Sequence, residues 1–370
     1  MILYMSLLIS SIILGILIPN LEKNKKLYLL IIFLILALIS GLRDKSVGLD
    51  TYNYTDLFFK YIDTNKLTTS FQNIRLEKGY ILLNYIIGIF TDNAQAVLMI
   101  SSLFINYSFA RLIYKYSNNV AISTVIYIIF FYQSTMNTMR QYIALSIFFF
   151  GIDYLLKNEK LKYLLIVVLA SQFHSSAWIL IVLIIVTFGS IMQNRKVLLL
   201  LSVGSIIVMN YFNELLEIFV RIFPVYQRLL VSDLYTSESQ ISILWMIIYA
   251  AILILGIHQV RMPLKERIEN SEVIRRKNAY NVFLVVWHIL FIISYVFSNR
   301  IWIANRILVY FKPVLILIVP SLMVGYKFKF RRSLIGILFL FLLIIFAIVW
   351  SYTMFITDPH GVMPYRFFLE

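Results

Sequence analysis

Cysteine is missing from all 370 residues, which excludes structural disulfides, thiolate metal centres and a cysteine nucleophile. Histidine is scarce. His174, His258, His288 and His360 stand far apart, with no HExxH or HxxxH spacing, so neither a metal cage nor another cofactor site is expected. Charged residues make up only 14% of the chain, against about 25% in a soluble domain. No Gly/Ser linker, low-complexity tract or internal repeat divides the sequence, so residues 1–370 read as a single integral domain. Also absent is a basic segment ahead of the first apolar run: MILYMSLLISSIILGILIP comes first and LEKNKK follows. A cleaved signal peptide has the reverse polarity, so this run is expected to stay as a helix with its N-terminus outside.

What the chain has instead is hydrophobicity, at 61% of residues. Runs long enough to cross a hydrocarbon core of ~30 Å recur from end to end. The expected fold is all-α: a polytopic integral membrane protein with about 12 transmembrane helices. The spans fall near 2–18, 27–41, 94–114, 119–132, 141–156, 161–173, 176–191, 197–211, 241–260, 279–298, 306–325 and 333–353. The net charge of +15 raises nucleic acid as a partner, but its placement argues against one. Of 33 Lys and Arg, 20 sit in the short loops 20–26, 111–118, 157–162, 193–196, 261–278 and 326–332. The long segments 42–93 and 212–240 hold eight, nearly balanced by acids. The positive-inside rule then makes those two segments extracytoplasmic loops and puts both termini outside. Trp178, Trp245, Trp302 and Trp350 fall near the same outer boundary, as an interfacial belt would. GYILLNYIIGIF (79–90) reads best as an interfacial or re-entrant helix, because a full span there would reverse the later alternation.

Sorting the ionisable residues by side leaves Arg43, Asp44, Asp50, Glu77, Arg140, His174, Arg228, Arg300 and Arg306 at or beyond the outer ends of spans. Arginines in such number match the forked donor geometry that phosphate oxygens accept. In QSTMNTMRQYIALSIFFFGIDYLL, an unbroken helix would align Gln133, Asn137, Arg140 and Gln141 as one polar stripe. A lone arginine there also fits snorkelling to headgroups. LASQFHSSAW sets His174 at a turn between two apolar runs, where an imidazole could take a proton from a hydroxyl or cap a helix end. His258 and His288 read as packing or interface residues. In SNRIWIANRILVYFKP, Arg306, Tyr310 and Pro313 share a face, and Pro313 cannot donate to the carbonyl of Val309, so the helix should weaken there. In ISGLRDKSVGLDTYNYTDLFFKYI, Asp50 or Thr51 can cap a short helix whose Leu57, Phe58 and Tyr61 would lie on the membrane. Tyr52, Tyr54, Tyr226 and Tyr235 offer flat faces on which sugars stack.

The segments GLRDKSVGLDTYNY, EKGYILLNYI, RQYIALSIFFFGIDYLL followed by ASQFHSSAW, and NRILVYFKP resemble the EpsG-like branch of the Wzy-type oligosaccharide repeat-unit polymerases. The resemblance runs from about residue 35 to residue 325, carried chiefly by the order and spacing of RQ and FHSSA. It implies a membrane glycosyltransferase, inverting or retaining, that polymerises polyprenyl-diphosphate-linked oligosaccharides into a surface polysaccharide (capsule, exopolysaccharide or O-antigen). It implies a bacterial cytoplasmic membrane, a site facing outside, and no metal or nucleotide. On that reading Arg140 and Arg306 converge on the diphosphate, Arg43 and Arg300 help, and His174 or Asp50 serves the acceptor hydroxyl. Glu77, Gln141, Arg228 and Tyr310 join them as substrate contacts. The partners implied are the lipid-linked donor and acceptor, membrane lipid, a chain-length regulator and a flippase. A transporter or flippase of the same lipids is the rival class, and a surface-glycan ligase or acyltransferase the rival enzyme; a flippase would need a charged path through the bilayer centre.

Overall fold

Apolar chain in hydrocarbon must satisfy its own backbone, so each such run closes into a helix. The computed structural model bears this out. It describes residues 2–61, 77–188, 191, 192, 194–211, 214, 217, 218, 221, 243–260, 272–298, 304–325 and 334–368. The first helices are α1 (Ile2–Leu17), α2 (Leu21–Gly41), α3 (Thr51–Tyr61), α4 (Lys78–Gly88), α5 (Gln95–Tyr116), α6 (Val120–Phe130) and α7 (Tyr132–Asn137). There follow α8 (Met139–Leu156), α9 (Lys160–Ser171), a 3-10 helix (Ser175–Thr187), α10 (Arg195–Asn210) and α11 (Ile243–Gln259). Last come α12 (Glu272–Ser298), α13 (Asn305–Phe311), α14 (Val314–Gly325) and α15 (Leu334–Thr357). No strand occurs among the described residues. The protein is an all-α, polytopic membrane protein.

A helix lies on each of the twelve expected stretches. Leu21–Gly41, Gln95–Tyr116, Met139–Leu156 and Lys277–Ser298 are each long and apolar enough to cross a bilayer, and the bent pair Asn305–Phe311 with Val314–Met323 makes a fifth if counted as one span. Several others are shorter. The 13-residue segment Ser175–Thr187 winds as a 3-10 helix, whose steeper rise carries it roughly 26 Å, against about 20 Å for an α-helix of that length. At 11 residues, α4 is about 16 Å long, well short of a crossing.

The helices group into two compact units. The first comprises Met1–Gly151, Leu164–Trp178 and Lys327–Glu370. Here α2 and α5 lie along each other, around a core built on Phe109. Its ring sits 4.5 Å from that of Tyr127 and 4.9 Å from that of Phe149. Two buried polar side chains in this core pair: the Tyr127 hydroxyl donates to Asn106 Oδ1 (2.9 Å), and Asn106 Nδ2 donates to the Ser102 carbonyl (2.9 Å). The ends of the unit differ in chemistry. Gln95 Nε2 donates to the carbonyls of Gly41 and Arg43 where α2 ends and α5 begins, whereas Lys25 lies over the Tyr114 ring at the opposite end.

The second unit comprises Ile152–Tyr163 and Ile179–Tyr326 and is organised around α12, which packs on α10, α11, α13 and α14. Trp287 Nε1 donates to the Tyr310 carbonyl (3.1 Å), and His288 Nε2 meets the Tyr249 carbonyl (3.0 Å), so His288 is a packing residue as expected. Arg195 donates to the carbonyls of His258 and Val260, placing a cation at the C-terminal end of α11, where the helix dipole favours one. The weakness expected at Pro313 is real. The helix breaks at Lys312–Pro313 and its halves bend by 40°.

Two expectations need correction. Gln133, Asn137, Arg140 and Gln141 do not share one continuous helix, because Thr138 (φ −95°, ψ 52°) leaves helical geometry and separates α7 from α8. In α3, Phe58 does not lie on the membrane. It is fully buried with Thr51, Tyr54 and Thr55, and the outward face carries Tyr52 and Phe59. Thr51, Tyr54, Thr55 and Phe58 recur at i, i+3, i+4 and i+7, one helical face, and packing buries that face. Tyr226, Arg228, Tyr235, Arg300 and Trp302, with most of segment 212–240, lie outside the described residues.

Candidate functional site

One end of the first unit gathers five chain-distant segments. The anchor is the turn at 42–50. Gly48 adopts φ +97°, open to glycine at little cost, and a Cβ there would come within 2.6 Å of Thr51 Oγ1 and 3.0 Å of the Met136 carbonyl. Arg43 fills the space beneath. It is 1% exposed, and its guanidinium donates to the Ser40 carbonyl, the Met136 carbonyl (3.0 Å) and Thr51 Oγ1 (3.4 Å). Burial lowers its pKa to about 10, opposed by the surrounding tyrosine hydroxyls, so it stays charged at neutral pH. Arg43 therefore ties α2, α3 and α7 together. Its donors serve two protein carbonyls and the Thr51 hydroxyl, which differs from the direct ligand contact expected for it.

The C-terminal segment covers the same turn. Asp44 N–H donates to the Arg366 carbonyl, Gly48 N–H to that of Gly361, Leu49 N–H to that of His360, and Phe368 N–H to that of Leu42. The Tyr365 hydroxyl adds a bond to the Ile39 carbonyl (2.6 Å), and Tyr4 one to Val362 (3.0 Å). Asp50 emerges half-buried, its N–H held by Asn137 Oδ1 (3.0 Å).

Arg140 is the second residue of α8, two positions after the Thr138 break. Its Nη1 donates to Glu77 Oε2 at 2.8 Å, with the two side chains 25% and 16% exposed. The guanidinium lies over the Tyr80 ring, 5.7 Å from its centroid, and Tyr54 meets Tyr80 edge-on at 6.1 Å. Burial pushes the Tyr54 phenol up to about 12; Asp50 adds to the shift and Arg140, which it faces, opposes it. Arg140 Nε is buried and finds no hydrogen-bond partner among the described residues. Glu77 Oε1 accepts from the Ser175 N–H (2.9 Å), so one carboxylate links Arg140 to the turn after α9. Gly79 N–H donates to the Gln172 carbonyl (2.8 Å), locking α4 against that turn. His174 stands in the turn, half-buried, with Nδ1 2.6 Å from Ser176 Oγ.

Arg43, Asp50, Glu77, Arg140 and His174 thus lie on segments joined by hydrogen bonds at one end of the first unit. Gln141 is buried beside Arg140 in sequence. Arg306 and Tyr310 belong to the second unit: Arg306 is exposed in the first turn of α13, and the Tyr310 side chain is fully buried. Tyr80 and Ser176 were missed, as was the part played by the Ser175 N–H. A tyrosine three residues after Glu77 carries no signal in a chain with 25 tyrosines, and backbone donors such as Ser175 N–H carry none at all. Among the described residues no three His, Asp or Glu side chains gather as metal ligands would.

The matched family model, described as the EpsG family, covers residues 26–367, a stretch holding every residue of this cluster. The chain belongs to the EpsG family. No curated protein and no solved structure matches it. As an EpsG-family protein it is a membrane protein of the polysaccharide-polymerase type, with the glycosyltransferase-like activity associated with that family. Within the family's span, the Arg140–Glu77–Ser175 chain links three distant segments of the first unit.

Proposed function

We propose that this EpsG-family protein extends a surface polysaccharide by transferring a growing chain from polyprenyl diphosphate to a hydroxyl of a new lipid-linked repeat unit. The bond between the anomeric carbon and the diphosphate oxygen breaks, a bond to the acceptor oxygen forms, and the hydroxyl proton passes to a protein base. The observation that carries this reading is Arg140: a quarter-exposed guanidinium, walled by Tyr54 and Tyr80, with its Nε unpartnered. Such a donor suits the charge that builds on a departing diphosphate. Gln141, buried next to Arg140 in sequence, supports the same helix. Arg43 is given a positioning part in place of direct contact. His174 or Asp50 takes the proton.

The site is assigned to the outer face of a bacterial cytoplasmic membrane. Supporting this, the basic loops around Lys25 and Arg111–Lys115 cap the end of the first unit opposite the cluster, and basic loops favour the cytoplasm. A flippase that delivers the lipid-linked units and a chain-length regulator are the expected partners. The test uses protein in nanodiscs with a defined polyprenyl-diphosphate oligosaccharide. Products should lengthen by whole repeat units, survive EDTA, and fall ~10²–10³-fold in rate in Arg140→Ala. Lipid scrambling without a new glycosidic bond, or full activity in folded Arg140→Ala, would overturn the assignment.

A further inference from the structure

We propose that Glu77 is an exchangeable counterion, a carboxylate that occupies Arg140 until a diphosphate displaces it and whose departure releases the His174 turn. The inference rests on Arg140 being the diphosphate anchor.

The geometry has three parts. First, Glu77 satisfies Arg140 with a single contact, Nη1 to Oε2 at 2.8 Å, leaving Nε without a partner. A permanent structural pair between Arg and a carboxylate is commonly bidentate, two parallel bonds of the fork. Second, the pair is 25% and 16% exposed. A fully buried pair is too costly to separate, and an open surface pair contributes almost nothing, so partial exposure suits exchange. Third, the guanidinium keeps other support when the carboxylate leaves. The Tyr80 face lies beneath it, with Tyr54 alongside. A diphosphate brings more charge and more acceptor oxygens than one carboxylate, and repels Glu77 once bound.

The consequence reaches the acceptor side through the second carboxylate oxygen. Glu77 Oε1 holds the Ser175 N–H, and Ser175 lies between His174 and Ser176, which are themselves joined at 2.6 Å. When Glu77 swings away, that N–H loses its acceptor and the turn carrying His174 gains freedom to meet an acceptor sugar. Arrival of the donor thereby prepares the acceptor side, and the empty enzyme keeps a neutral, closed pair.

The experiment uses the full chain in nanodiscs, with inorganic pyrophosphate and farnesyl diphosphate as probes, read by calorimetry. Glu77→Gln preserves shape and can still accept from Ser175, so it should fold. It should bind both probes about ten-fold tighter than the parent, since the competing charge-assisted bond is gone. Structural damage alone would weaken binding. In the parent protein, hydrogen exchange of the peptide containing Ser175 should speed up when pyrophosphate is added. Unchanged or weaker binding in Glu77→Gln, or unaltered exchange at Ser175, overturns the inference. If Arg140→Ala leaves probe affinity untouched, the fault lies instead with Arg140 as anchor.

Discussion

Gly79→Ala offers a test of the site's construction that needs no substrate. A Cβ at Gly79 would fall 2.7 Å from the Gln172 carbonyl oxygen and 2.9 Å from Gln172 Cβ. Carbon–oxygen contacts relax at about 3.3 Å, so α4 must retreat by roughly 0.6 Å from the turn after α9. That retreat stretches the 2.8 Å bond from Gly79 N–H to Gln172 beyond useful length. Losing it costs about 1 kcal/mol, and residual crowding costs about 1–3 kcal/mol more, offset by about 1 kcal/mol of helix propensity gained. The net loss is about 1–3 kcal/mol. Gly204 in α10 is the control, with nothing within 4 Å of its would-be Cβ, so the same substitution there should be neutral or stabilise by up to ~1 kcal/mol. Thermal unfolding of both variants in detergent, followed by intrinsic tryptophan fluorescence, reads the difference. Elongation should fall with Gly79→Ala alone, because the turn that carries His174 loses its fixed attachment to α4. If Gly79→Ala proved as stable as Gly204→Ala, the close approach of α4 to residue 172 would be refuted.

Arg43→Met should destabilise by about 3 kcal/mol or more in the same assay, since the Ser40 and Met136 carbonyls lose a buried charged donor. Arg43→Lys should recover only part of it, an ammonium lacking the fork that reaches three acceptors. Asp44 is held below the ordinary carboxylate range by the hydroxyl and N–H of Ser46. Its contribution to stability is therefore present above its unfolded pKa of about 3.9 and is lost as pH falls through the lower native value. The melting temperatures of parent and Asp44→Asn should differ at pH 6 and draw together as pH falls through the lowered native pKa of Asp44.

Much of this architecture can be read from residue pattern because lipid enforces it. Apolar runs had to become helices, Pro313 had to interrupt one, and the small polar residues around His174 had to form a turn. Other features answer to contacts that no local pattern encodes. Thr138 breaks a helix with no glycine or proline to announce it, so Arg140 begins a helix instead of continuing a stripe. Arg43 carries the same charge as Arg140, yet the Gly48 turn and the residue 358–368 segment close over it and turn it inward. The Glu77–Arg140 bond joins residues 63 positions apart, and only the approach of α4 to α8 creates it. Which guanidinium is buried and which stays partly exposed was settled by packing.

The clasp between residues 42–50 and 358–368 has a further consequence for biogenesis. The turn that seats Asp50 emerges early from the ribosome, whereas the backbone partners that fix it are synthesised some three hundred residues later. Until then its amides have only water or lipid headgroups for company. A nascent protein can thus form most of its helices before the turn at residues 42–50 is fixed in place. At about 5–20 residues per second, that delay is on the order of tens of seconds.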